Sequence, residues 1–271
     1  MAQFNSANGS FQDQAKTLFE VNMISDAHGN VMDIMGSFGS TLDIAKGKHP
    51  DVSFVHKNGY IQTGLSAGDT IWDGGSPYPW TTWDTGGANT IYVKAATNNA
   101  VDRDLPIRIT GLNANYETIT ANVVLNNTNS TTAVAVNEKF LRINDVTVNN
   151  GRTNESDITF LYANSSGTQV EVIPAGFGRN MTGVYTVPTG KTAYLLKGVA
   201  ATTAASTVGF YIRYFDEGFK LQHVAVADNS TYTYDFPIPL PFPEKTDLDV
   251  RCIVGSGRIS INFDALLVSN P

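Results

Sequence analysis

Four prolines at alternate positions, Pro237, Pro239, Pro241 and Pro243, lie in the run Phe236-Pro-Ile-Pro-Leu-Pro-Phe-Pro-Glu-Lys-Thr-Asp-Leu-Asp-Val-Arg251. The run joins two stretches that read as β-strands. Proline has no N–H to give to a sheet ladder, so this run cannot lie in a central strand. The spacing predicts a stiff, extended connector along a sheet edge.

Short strand-like runs recur from Asp51 onward. Examples are Val52-Ser-Phe-Val55, Thr90-Ile-Tyr-Val-Lys94, Thr118-Ile-Thr-Ala-Asn-Val-Val-Leu125, Gln169-Val-Glu-Val-Ile173, Gly209-Phe-Tyr-Ile-Arg-Tyr-Phe215 and Ser260-Ile-Asn-Phe-Asp-Ala-Leu-Leu-Val268. Several alternate apolar with polar residues, as strands with one solvated face do. Between them lie turn clusters such as Asn126-Asn-Thr-Asn-Ser130 and Asn149-Asn-Gly151. The chain is therefore expected to be all-β, with two antiparallel β-sandwich (jelly-roll-like) modules at 51–166 and 167–271. Residues 1–50 read as an extended N-terminal arm. It has a short helix over 12–19 and a hairpin formed by Leu18–Ile24 and Val31–Met35 around Asp26-Ala-His-Gly-Asn30. Two strands alone are marginal in water, so the arm is expected to dock on another subunit.

Composition narrows the function. Of 271 residues only 16% are charged, and the net charge is −7. The basic residues do not cluster, and an acidic chain repels phosphate, so no nucleic-acid partner is expected. No stretch approaches the roughly 20 apolar residues that span a bilayer, and no membrane partner is expected. The N-terminus lacks the basic-then-apolar pattern of a secretory signal. The single cysteine, Cys252, reads as a small buried apolar residue in a strand.

No motif points to catalysis. Pro188-Thr-Gly-Lys-Thr192 lacks the first glycine of a phosphate loop, because Tyr185 stands there, and it reads as a hairpin turn. His28, His49, His56 and His223 have no metal-ligand spacing within one element. The pairs Asp102/Asp104, Asp216/Glu217 and Asp247/Asp249 read as solvated loop charges or, in the sharper reading, Ca²⁺ ligands. No cofactor or metal is called for. All three tryptophans fall in Thr70-Ile-Trp-Asp-Gly-Gly-Ser-Pro-Tyr-Pro-Trp-Thr-Thr-Trp83. Trp72, Tyr78, Trp80 and Trp83 could plug one end of a sandwich, anchor a subunit interface or stack on sugar rings.

Several stretches together carry a family resemblance. They are Val55-His-Lys-Asn-Gly-Tyr60, Asp69-Thr-Ile-Trp-Asp-Gly-Gly-Ser-Pro-Tyr-Pro-Trp80, Ile173-Pro-Ala-Gly-Phe-Gly178, Tyr185-Thr-Val-Pro-Thr-Gly-Lys-Thr-Ala-Tyr-Leu195 and Pro241-Phe-Pro-Glu-Lys-Thr-Asp-Leu-Asp-Val250. The chain resembles, over about 52–268, virion structural proteins of tailed phages of the cyanophage and marine type. The arm segments Phe19-Glu-Val21 and Ala27-His-Gly-Asn30 resemble N-terminal segments of the same phages. The resemblance implies a non-enzymatic virion protein, assembled in the bacterial cytoplasm, that decorates or cements the capsid. Its partners would be other virion proteins, foremost the major capsid protein, and further copies of itself. A trimer is compatible with this role, though no residue specifies symmetry. The docking side chains would be Phe4, Phe11, Leu18, Phe19, Met23, Met32, Met35 and Phe38. The alternatives are a tail or baseplate protein with a carbohydrate- or receptor-binding loop at Trp72–Trp83, and a polysaccharide depolymerase.

Overall fold

The computed structural model describes residues 43–62 and 66–270, together with four short strands nearer the N-terminus. The chain divides into two compact units, Met1–Phe54 and Val55–Pro271. In the first, β1 (Phe4–Asn5) pairs with β2 (Ser10–Phe11), and β3 (Met23–Ser25) pairs antiparallel with β4 (Val31–Asp33). Ile24 faces Met32 in that second pair, which is the hairpin expected there. The helix expected over 12–19 lies outside the described residues, as do Leu18, Phe19, Met35 and Phe38.

The larger unit is built almost wholly of antiparallel strands. A first sandwich has the strands β6 (Asn89–Ala95), β7 (Pro106–Leu112), β8 (Thr118–Val124), β9 (Val134–Phe140), β10 (Arg142–Val148), β11 (Ile158–Tyr162) and β12 (Gln169–Ile173). Its sheets run β10-β7-β8 and β12-β11-β6-β9. Ile91, Val93, Ile107, Ile109, Phe140 and Phe160 fill the space between them, each fully buried. Alternation explains this: along β7, Ile107 and Ile109 are buried while Arg108 is exposed.

The second sandwich begins earlier in the chain. Its strands are β5 (Val52–Ile61), β13 (Val184–Thr186), β14 (Lys191–Thr202), β15 (Ser206–Arg213), β16 (Lys220–Ala227), β17 (Thr231–Phe242), β18 (Asp247–Gly255) and β19 (Ile259–Ser269). The sheets run β5-β19-β14-β17 and β13-β18-β15-β16. Numbered one to eight in chain order, these are 1-8-3-6 and 2-7-4-5, the jelly-roll order with its two nested Greek keys. Along β19, Ile259, Ile261, Phe263, Ala265 and Leu267 are buried at every second position. Burying a side chain such as Phe263 stabilises by about 1.5–3 kcal/mol.

The first sandwich is thus an insertion between the first and second strands of the jelly roll. The expected boundary at 166/167 falls between β11 and β12, which are neighbours in one sheet. The expected start of the first module at 51 falls on β5, which belongs to the jelly roll. Periodicity reports strands but not which sheet each joins, so the modules appeared consecutive when they are nested. The two crossings of the insertion meet at Gly59, Ile71 and Gly183. The Gly183 N–H donates to the Ile71 carbonyl at 2.9 Å, and a Cβ on Gly59 would come within 2.6 Å of that same oxygen. Backbone approaches backbone here, which only glycine permits.

The proline run is a strand rather than a connector. Among the described residues, β17 is the outer strand of its sheet and pairs only with β14. Leu240 faces Leu195 and Asp235 faces Lys197, so Phe236 to Pro239 bulge out opposite Leu196 alone. Pro237 and Pro239 lie where the ladder is interrupted, and Ile238 between them is 82% exposed. The turn at Pro188–Gly190 is likewise no hairpin: it carries the chain from β13 in one sheet to β14 in the other.

Candidate functional site: the aromatic–ionic junction

Alternation along β18 sends its side chains to two different sides of the sheet. Leu248, Val250 and Cys252 point into the jelly-roll core. Asp247, Asp249 and Arg251 point the other way, and both aspartates are buried, Asp249 completely. They are not the solvated loop charges expected for the pair Asp247/Asp249. A buried carboxylate needs donors for each oxygen, and the rest of the chain supplies them.

Asp249 accepts from the Thr70 hydroxyl at 3.0 Å, the Trp80 indole N–H at 2.7 Å and the Arg251 Nε at 2.8 Å. Burial raises its pKa, against the opposing pull of Arg251, Trp80 and Thr70. Asp247 accepts from Arg142 Nε at 3.2 Å, Arg213 Nη2 at 2.6 Å and the Thr186 hydroxyl at 2.5 Å. Asp84, on the short helix α1 (Trp80–Gly86), bridges the same two arginines at 2.9 Å from Arg142 and 2.5 Å from Arg213. Burial alone would lower the pKa of Arg142. The charge and hydrogen bond of Asp247 outweigh it, and the pKa is raised.

Aromatic rings close the network. Arg142 and Arg213 lie 5.3 and 5.0 Å from the Trp80 ring centre, and Arg213 and Arg251 lie 4.7 and 4.2 Å from that of Phe219. Desolvated cation–π contacts contribute about 2 kcal/mol or more. Trp72, Tyr78 and Trp80 form an edge-to-face series with centroids 5.3 and 4.9 Å apart, and Trp83 meets Tyr162 at 5.1 Å. Trp72, Tyr78, Trp80 and Trp83 are each 6% exposed or less. Their rings have no free face for a sugar or a partner subunit, which corrects the interface and sugar readings of this loop. Composition placed the aromatics together, but only packing put their faces inward.

A second polar cluster lies where β5, β10 and β12 meet. Lys57 is buried and donates to the Asn144 carbonyl at 2.5 Å. Glu171, also buried, accepts from Asn180 at 2.9 Å and from the Thr182 hydroxyl at 2.5 Å. Burial lowers the pKa of Lys57 and raises that of Glu171. Asp102, read in sequence as a loop charge, is buried and accepts from the backbone of Glu155 and Ser156. Asn154 ties the carbonyls of Ser156, Ile173 and Pro174. Sequence reasoning missed Arg142, Glu171 and Asn154, since a polar residue in an alternating strand reads as solvated. The one available signal was the pairing of two strand arginines with the Asp-x-Asp-x-Arg of β18.

Beside the junction opens a cleft of about 320 Å³, lined among others by Tyr116, Phe215, Glu217 and Lys245. Its arginines are matched by Asp84 and Asp247, so its chemistry is that of a bolt between sandwiches. Among the described residues, no three His, Cys, Asp or Glu side chains gather as a metal site. His56 pairs with Asp264, and His223 lies 3.1 Å from the Tyr232 hydroxyl. Cys252 is buried, and burial raises its thiol pKa.

No family model and no curated protein matches the chain. Among solved structures, it is similar to one of infectious bursal disease virus, Gt strain, at 10% identity over 80% of this chain and 71% of that one. The TM-score of that match is 0.17, too low to carry an argument.

Proposed function

We propose that the protein is a non-enzymatic structural component of a tailed-phage virion, a capsid decoration or cement protein. The observation that carries this reading is where the stretches of the family resemblance fall. Trp72, Trp80, Asp247 and Asp249 all lie in the junction between the two sandwiches. The distinctive residues of the chain are spent on rigidity, as a load-sharing building block requires and a catalyst does not. The jelly roll agrees, being an architecture that virus shells use repeatedly. The partners in this reading are the major capsid protein, other virion proteins and further copies of the chain, without nucleic acid or membrane. Binding only the assembled shell would shift assembly toward it by mass action.

Cryo-electron microscopy of the intact particle tests the proposal. Density for this chain on the shell between capsomers is the expected result. Density on the tail or baseplate would move the assignment to host adhesion. Absence from purified particles would overturn the virion reading altogether.

A further inference from the structure

The arginines and aspartates of the junction occupy one side of the cleft of about 320 Å³ that opens beside it. Three turns that the ionic network does not use line the rest. They carry Tyr116, between β7 and β8, Phe215 and Asp216, between β15 and β16, and Lys245, between β17 and β18.

Each turn holds a residue with a side chain in the left-handed region, with φ of 62° at Tyr116, 59° at Asp216 and 63° at Lys245. Glycine, asparagine and aspartate take that conformation at least cost, and a bulky residue is strained in it. The other non-glycine residues with positive φ among the described residues are Asp104, Asn150, Ala163 and Asn229. The two large side chains, tyrosine and lysine, thus both stand at this cleft. Main-chain bonds hold them there. The Tyr116 carbonyl accepts from the Thr189 N–H, and the Lys245 N–H donates to the Val187 carbonyl, each at 2.8 Å. Turn formation alone calls for neither residue, and strain of this kind gathers where a ligand is held.

The side chains are arranged but not satisfied. The Tyr116 and Phe215 rings meet edge to face at 5.9 Å, and Lys245 Nζ lies 5.7 and 5.0 Å from their centres. These cation–π contacts aim the ammonium without neutralising it. Among the described residues Lys245 has no carboxylate partner, and neither the Tyr116 hydroxyl nor the Asp216 carboxylate has a hydrogen bond. Phe215 is 51% exposed.

Charge selects the ligand. The carboxylates Asp84, Asp216, Glu217 and Asp247 are interspersed around the cleft with the cations Arg142, Arg213 and Lys245. A wall of mixed sign suits neither a polyanion nor a polycation. A hydroxyl group both donates and accepts, so a polyhydroxylated ligand matches such a wall, and the C–H face of its ring packs on the π face of Phe215. Small-molecule sites run from roughly 300 to 1,000 Å³, and this cleft lies at the lower end, the size for a mono- or disaccharide. We infer that the cleft is a carbohydrate-binding site, in which Tyr116, Phe215 and Lys245 hold a pyranose ring beside the arginine–aspartate network. The inference goes beyond the virion reading and does not depend on it, since binding is read on the chain alone.

Saturation-transfer NMR on the full chain tests it, with the methyl glycosides of glucose, galactose, mannose and N-acetylglucosamine as probes and glycine and sodium acetate as charged competitors. At least one glycoside is expected to bind, with a dissociation constant in the millimolar range, and neither competitor should displace it. Phe215→Ala, at an exposed ring, should weaken binding by about tenfold or more. Tyr116→Asn and Lys245→Asn should abolish it and leave the thermal midpoint unchanged or raised, because asparagine takes the left-handed conformation at less cost. A residue kept for packing gives the opposite sign, so a midpoint lowered in both asparagine variants would overturn the inference. Silence with every glycoside, binding unchanged in all three variants, or displacement by glycine or acetate would overturn it as well.

Discussion

The Trp80 indole N–H donates to Asp249 at 2.7 Å, across 169 residues of sequence. One end of this bond belongs to the inserted segment and the other to the second-to-last strand of the jelly roll. The bond therefore ties the inserted segment to the jelly roll.

Asp249→Ala should be among the most damaging single changes. It strips the partner from Trp80, Thr70 and Arg251 at once, and leaves the half-buried Arg251 guanidinium less well paired. Breaking a buried charged cluster in this way costs about 3–5 kcal/mol. Trp80→Phe removes one bond and part of a ring, and should cost less. Urea unfolding midpoints compare the two, and equal losses would mean that Asp249 contributes only through Trp80.

The junction should make the two sandwiches unfold together. Asp247 is the carboxylate that both Arg142 and Arg213 share with Asp84. Calorimetry of the wild type is expected to give one transition for residues 55–271. In Asp247→Ala the sandwiches should uncouple into two transitions, the jelly roll and the insertion. A single, merely lowered transition would show that the hydrophobic contacts alone couple them.

Asp73 should impose a pH dependence. Burial, aided by the charge of Asp157, pushes its pKa up to about 6 from an ordinary value of 3.8, and its Oδ2 is buried without a hydrogen-bond partner. The folded protein thus binds this proton more tightly than the unfolded chain. The contribution is fully present below pH 3.8 and is lost as pH rises through about 6. Asp73→Asn should therefore flatten the stability profile across that window and leave the protein more stable than wild type above it. Denaturant midpoints from pH 4 to pH 7, measured on both proteins, check the sign.

Gly59→Ala should destabilise although it adds one methyl group. The new carbon would lie 2.6 Å from the Ile71 carbonyl oxygen and 2.8 Å from the Gly183 nitrogen, both main-chain atoms that cannot swing aside. Overpacking of this kind costs about 1–3 kcal/mol. Gly198→Ala in β14, where a Cβ meets nothing within 4 Å, is the control and should be nearly neutral in thermal unfolding.

Much of the fold was legible in the residues. The alternation in Ile259 to Leu267 marks a strand with one face in the core, and the β3–β4 hairpin follows from its turn chemistry. The prolines of β17 announced an edge, because the absence of an N–H is a local fact that no neighbour can repair. The junction was not legible. Asp247 and Asp249 read as solvated charges, since nothing in the run Asp-Leu-Asp-Val-Arg tells that both faces of the strand are covered.

The sequence by itself determined that the chain would be antiparallel β, where most of its strands fall, and that the proline run lies along an edge. Those properties depend on period, propensity and covalent structure within a few residues. Only the tertiary structure decided that the first sandwich is inserted into the jelly roll, that the tryptophans face inward and that the buried aspartates are matched by arginines. These depend on contacts between residues such as Trp80 and Asp249, far apart in the chain, whose pairing is fixed by which sheets close on each other.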